Sequence, residues 1–165
     1  LLLEQNAIAA VFVLALAAAV VSDAASFRIP NAIPLCLAGL FLVDAFRLGI
    51  AVPTVALHLT AGVALLAAGV ALYYTGVVGG GDAKFLAALA LWSGWHELPR
   101  LLIVMALVGG VLSLGLLMAR RLRIGSSTGP LARLLAAGAP VPYGIAIAAG
   151  GFDLWFRHLI LTQLR

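Results

Sequence analysis

Long apolar runs follow one another along this chain, separated by short polar interruptions. The first covers roughly Ile8 to Ser22 with some of the preceding polar residues, and the second runs from about Asn31 to Phe46. The third extends from Pro53 to Val78, and the fourth is short, from Ala83 to about Trp92. The fifth runs from about Leu101 to Ala119 and the sixth from Pro142 to about Leu161. A membrane-crossing helix needs about 20 apolar residues. The pattern therefore predicts an all-α membrane protein, a polytopic bundle of about six transmembrane helices. Pro30, Pro34, Pro53, Pro99 and Pro142 fall near predicted helix starts, where a missing N–H costs little. At about 1.5 Å per residue the fourth run makes roughly 15 Å of helix, half the hydrocarbon thickness. Such a short helix would begin below the interface, at a recess. Irregular backbone at that depth is tolerated where it lines a cavity or is covered by protein.

Composition removes the soluble alternatives. Of 165 residues 64% are hydrophobic and 10% charged, with a mean hydropathy of +1.18. Soluble domains carry roughly 25% charged residues, so membrane lipid is the expected solvent. The formal net charge is +4, and the basic residues lie mostly at the ends of apolar runs. That distribution speaks for membrane orientation and against nucleic-acid binding. With the first loop cytoplasmic, that side holds six basic residues: Arg28, Lys84, Arg120, Arg121, Arg123 and Arg133. The opposite side holds four, Arg47, Arg100, Arg157 and Arg165. The cluster Arg120-Arg121-Leu122-Arg123 places its loop inside, and both termini are then expected on the non-cytoplasmic side. In that loop Gly125 to Pro130 reads as a flexible turn and Leu131 to Ala137 as a short interfacial helix. The single Cys36 excludes an intramolecular disulfide and a Cys-rich zinc module, and it is expected to pack as a small hydrophobe. The first apolar run has no basic region ahead of it and no clear small-residue cleavage site, which argues against a removable signal peptide. No repeat, nucleotide-binding loop or soluble module interrupts the pattern. Residues 1–165 read as one integral-membrane domain.

Chemistry concentrates at Gly79-Gly80-Gly81-Asp82-Ala83-Lys84. A carboxylate at the edge of a membrane span is costly and is by default a functional-site hypothesis. Glycines permit close backbone approach, so an extended peptide could lie beside Asp82. The plainer alternative makes Asp82 a helix N-cap and the glycines a turn. A second aspartate, Asp23, closes the first span and falls on the same predicted membrane face. Two carboxylates sharing one site cannot both ionise cheaply, so one keeps its proton, giving an acid and a base together. Such a pair can activate water and protonate a leaving amine, and it titrates as a unit. The other acids read differently. Asp44 has Arg47 three residues on and Asp153 has Arg157 four residues on, spacings that place each pair on one helix face. Glu4 and Glu97 sit in polar flanks and are expected to be solvated. His58, His96 and His158 show no ligand spacing with one another or with Cys36, so neither a metal nor a cofactor is expected. No Gly-x-Ser-x-Gly element suggests a nucleophilic enzyme.

Gly79-x-Gly81-Asp82, followed by Lys84, resembles the Gly-x-Gly-Asp motif of aspartic membrane proteases. Asp23 followed by Arg28-Ile29-Pro30-Asn31 resembles the first-aspartate segment of the type IV prepilin peptidases, and Pro142-Tyr143-Gly144 is also similar to that family. The resemblance implies that Asp23 and Asp82 are the catalytic pair of an aspartic endopeptidase. It implies a prepilin or pilin-like precursor as substrate, whose short basic leader is cut at the cytoplasmic face, usually after a glycine and without a metal. It also implies a multi-pass protein of a bacterial or archaeal plasma membrane, working beside pilus assembly machinery. One cysteine and a short first loop resemble the short, cleavage-only forms of tight-adherence (Flp) pilus systems. Gly79, Gly80 and Gly81 would then offer a backbone edge to an extended substrate. Lys84 either orients a carbonyl or eases the charge cost of the pair, or else snorkels to the interface. Arg28 has the same two readings, and Asn31 is either a site residue or a helix cap. Two other functions compete: an ion-coupled transporter using Asp23 and Asp82, and a non-catalytic subunit of a pilus or secretion assembly.

Overall fold

The computed structural model describes residues 2–122, 130–136 and 138–163. The Gly125–Gly129 turn and Arg123 lie outside the described residues, as do Arg165 and the side chains of Glu4 and His158. Six helices follow in order: α1 (Leu2–Ser26), α2 (Ala32–Arg47), α3 (Val52–Tyr74), α4 (Gly80–Arg121), α5 (Pro130–Leu135) and α6 (Tyr143–Gln163). No strand occurs among the described residues. Three stretches are long and apolar enough to cross a membrane: Ala7–Ser26, Val52–Tyr74 and Gly80–Arg121. Large apolar side chains cover the outside, with Phe46 91% and Val52 80% exposed. A surface of that kind suits lipid, since patches of this extent are rare on soluble monomers. Cys36, expected to pack, instead faces outward on α2.

The fourth and fifth apolar runs are the two limbs of α4. They meet at Gly94, whose backbone (φ 54°, ψ −172°) leaves the helical region. The polar interval between the runs, which reads as a loop, is helical apart from this one residue. Contacts along each limb show that the chain doubles back there. Going up the first limb, Gly81 meets Ile29 and Leu89 meets Gly151, while Trp92 packs edge-on against Phe12 at 4.8 Å. Going down the second, Arg100 meets Asp153, Leu101 meets Gly150 and Gly109 meets Tyr143. Both ends of α4 therefore lie at the end of the bundle where α1 stops and α6 starts. The first limb packs against α3 at very short range, because a Cβ on Gly69 would stand 2.7 Å from that of Ala83. Small residues at such crossings let membrane helices approach.

The joint at Gly94 is tied by polar side chains. His58 of α3 donates from Nδ1 to the Leu91 carbonyl at 2.6 Å and stacks on Phe41 at 5.5 Å. Leu91 lies in the last turn of the first limb, where helix carbonyls lack an intrahelical partner. Trp92 donates to the Leu37 carbonyl at 3.0 Å and Trp95 to Thr60 Oγ1 at 2.9 Å. The part-buried Trp92 N–H thereby finds the acceptor that burial demands, while the bond from Trp95 lies at the exposed rim of the joint. The core beneath is formed by Phe12, Leu16, Leu37, Phe85, Leu89 and Leu101.

Charged pairs depart from the local pattern in one place. Asp44 and Arg47 pair as spaced, at 2.7 Å. Asp153 does not pair with Arg157; both its oxygens accept from Arg100, at 2.6 and 2.9 Å. Arg157 donates instead to Glu97 at 2.8 Å, so Glu97 is not simply solvated. A guanidinium fork matches both carboxylate oxygens at once, and α4 brings Arg100 to the place where it can do so. At the other end Arg120 donates to the carbonyls of Leu134 (2.8 Å) and Pro140 (3.3 Å), pinning the segment around α5 to the second limb.

Candidate active site

Asp23 stands in the last turn of α1 and is 4% exposed. The helix is closed by Phe27, a non-glycine residue in the left-handed region (φ 53°), whose N–H donates to the Asp23 carbonyl at 2.7 Å. Bulky residues seldom adopt this conformation outside turns under constraint. The constraint is visible here. Ser22 Oγ donates to the Arg28 carbonyl at 2.7 Å, folding the segment after Phe27 back onto the helix end. Ile29 is thereby turned inward and buried, at 7% exposure. It wedges between the first turns of α4 and α6, against Gly81 on one side and Gly144 on the other.

Asp82 is the third residue of α4, half-buried, and the N-cap position belongs to Gly79. It is therefore not an N-cap. Its carboxylate bends back over Gly79, so that a Cβ there would stand 2.9 Å from Oδ2, and the Gly79 backbone is its polar partner. Asp23 and Asp82 are linked through Ile29, which packs against Gly144, the hydrogen-bond partner of Asp23, and against Gly81, the residue before Asp82. Asp23 also receives a hydrogen bond from α6, with the Gly144 N–H donating to Oδ2 at 2.7 Å. Three chain segments remote in sequence thus meet around two carboxylates. Two carboxylates at one such site can divide the roles of acid and base.

The remaining expected residues divide. Lys84 is exposed and donates from Nζ to Asn31 Oδ1 at 2.9 Å, tying α4 to the start of α2. Asn31 holds the N-cap position of α2 but makes no capping hydrogen bond, because its side chain serves Lys84. Arg28 is exposed, and its carbonyl makes the contact with Ser22. Gly79, Gly80 and Gly81 do not form an extended edge: Gly79 alone has extended backbone, and Gly80 and Gly81 are already helical. The space over Gly81 is filled by Ile29, whose Cβ, N and O lie 3.2–3.3 Å from where a Cβ would stand. That glycine serves the approach of the chain's own backbone. Ile29 and Gly144 were visible in the sequence only as members of the Arg28–Asn31 and Pro142–Gly144 motifs, with no role at the site. The signals in the sequence were an apolar residue between Arg28 and Pro30, and a glycine two positions after Pro142. Among the described residues no three His, Cys, Asp or Glu side chains gather as a metal site requires.

The chain is 34% identical over 90 residues to a prepilin leader peptidase/N-methyltransferase of Pseudomonas aeruginosa, a match covering 53% of this chain and 27% of that protein. It is 34% identical over 74 residues to the protein of the same name from Burkholderia pseudomallei (45% of this chain, 20% of that protein). It is 37% identical over 84 residues to the leader peptidase HopD of Escherichia coli (50% and 46%). The matches thus span between about a fifth and a half of these relatives. No solved structure matches the chain. Residues 10–114, a stretch that contains both Asp23 and Asp82, match the model of the type IV leader peptidase family. The chain belongs to the type IV leader peptidase family.

Proposed function

We propose that this chain is a membrane-embedded aspartic endopeptidase that removes the leader of prepilin-type precursors, with Asp23 and Asp82 as its catalytic pair. The observation that carries the reading is that both carboxylates, one in the last turn of α1 and one in the first turn of α4, lie at the same end of an apolar bundle with Ile29 packed between their supports. One carboxylate takes a proton from the attacking water while the other, protonated, gives one to the leaving amine. No metal or other cofactor takes part. Family membership and the names of the relatives support prepilins as the substrate class. A pilin-like precursor of Flp type is the finer assignment, with pilus assembly machinery as the neighbouring partner.

The doubling back of α4 supports six crossings, made by α1, α2, α3, the two limbs of α4 and α6. The first limb, 80–93, is the short one. At about 1.5 Å per residue it rises roughly 20 Å, less than the ~30 Å hydrocarbon layer. Asp82 would then sit in a recess opening to the cytoplasm, with both termini outside and the whole of 1–165 one multi-pass inner-membrane domain.

The test is cleavage of a pilin-like precursor reconstituted with the protein in lipid vesicles. Asp23→Ala, Asp82→Ala and the two Asn variants should each lose at least about a hundredfold in rate, the scale of one acid–base contribution. Asp44→Asn should cleave normally, and EDTA should leave the wild-type rate unchanged. Substantial cleavage by any variant at Asp23 or Asp82 rejects the pair.

A further inference from the structure

The family match ends at residue 114, yet one of the polar contacts to Asp23 comes from beyond it. The Gly144 N–H, in the first turn of α6, reaches Asp23 Oδ2 at 2.7 Å in a buried setting. A Cβ at position 144 would stand 2.8 Å from that same oxygen, 3.1 Å from Asp23 Cβ and 2.9 Å from Ile29 Cδ1. Real Cβ atoms essentially never come within 3.0 Å of such neighbours. At 4% exposure Asp23 has little room to retreat. The α6 backbone and the carboxylate are thus in direct contact, and only a residue without a side chain allows it.

We propose that Gly144 is a positioning residue for Asp23: its backbone N–H holds one carboxylate oxygen, leaving the other to face Asp82 and the reacting water. The inference rests on the reading of Asp23 as one of the catalytic pair. Three features of the fold fix the geometry. Fully buried Pro142 anchors the entry to α6, with the Ile145 N–H returning to its carbonyl at 3.3 Å. Ile29, folded in by the Ser22 bond to the Arg28 carbonyl, sets the spacing between Gly144 on α6 and Gly81 on α4. Phe27, held left-handed, makes that fold possible. Asp82 follows Gly81 directly, so one buried side chain spaces the helix starts that carry both halves of the site. A displacement of about 1 Å in such a constellation costs on the order of a hundredfold in rate.

The experiment compares Gly144→Ala, Ile29→Val and the double variant in the vesicle cleavage assay, with thermal melting of each. Ile29→Val deletes Cδ1 and relieves the crowding at Ile29 while leaving the clash with Asp23. Gly144→Ala should lower kcat on the order of a hundredfold with KM little changed, and it should displace the pH–rate profile. The double variant should recover the part of the lost melting temperature that comes from crowding at Ile29 and keep the low kcat. Recovery of kcat together with stability, or a double variant that recovers neither, reduces Gly144 to packing and overturns the proposal. So does a folded Gly144→Ala that cleaves at the wild-type rate with an unmoved pH profile. If Asp23→Ala itself still cleaves, the catalytic pair fails first, and that result is distinct from a failure at Gly144 alone.

Discussion

Gly94→Ala should be among the costliest single-methyl changes in the chain. Two separate terms arise. First, φ 54° with ψ −172° is a conformation close to glycine-only, and holding alanine there costs about 1–3 kcal/mol. Second, the new Cβ would stand 2.8 Å from His58 Cε1 and 2.9 Å from Nε2. Pushing that ring aside costs about 1–3 kcal/mol as overpacking, and it strains the 2.6 Å bond to the Leu91 carbonyl and the stack on Phe41. Together these predict a loss of about 2–6 kcal/mol. Trp92 and Trp95 flank the joint, so unfolding in mixed micelles can be followed by tryptophan fluorescence. The double variant with His58→Ala separates the terms, because it removes the crowding and leaves the backbone strain. It should recover only part of the loss relative to His58→Ala alone. A Gly94→Ala protein within about 0.5 kcal/mol of wild type, the range of changes made away from special features, would refute the joint. The two limbs of α4 would then be free to straighten. The precursor assay should move with it, since the first limb carries Asp82.

Gly81→Val should destabilise the fold and abolish cleavage together, because its Cβ meets Ile29 Cβ at 3.2 Å and the Ile29 backbone N and O at 3.3 Å. Gly80→Ala meets only the Tyr73 ring at ordinary distance and should melt and cleave like wild type. A Gly81→Val protein with wild-type melting would show that Ile29 does not fill that space. Single cysteines introduced after removal of Cys36 should label from the cytoplasmic side near Lys84 and Arg121, and from the outside near Gly49 and His96. Labelling near Lys84 from outside would invert the topology and put the aspartates on the wrong face for a cytoplasmic leader.

Run length and hydropathy determined the helices, because each helix satisfies its own backbone and lipid contact asks only for apolar side chains. The short fourth run, ending before Gly94, already separated the limbs of α4. The pair Asp44 and Arg47 was readable for the same reason, since both members share one helix face. The two aspartates were readable as costly groups at apolar edges, and the glycines beside Asp82 as a place of close approach. What approaches was not readable. Ile29 occupies that space through a left-handed Phe27 and a serine bond to the Arg28 carbonyl, a fold that no spacing encodes. Asp153 pairs with Arg100 and not with Arg157, one turn away, because the return of α4 brings Arg100 beside it and brings Glu97 to Arg157. Gly144 reached Asp23 because α6 starts where α1 ends. Local patterns are settled by the chain's own short-range geometry. The setting of each buried charge depends on which remote backbone arrives beside it, and packing alone decides that.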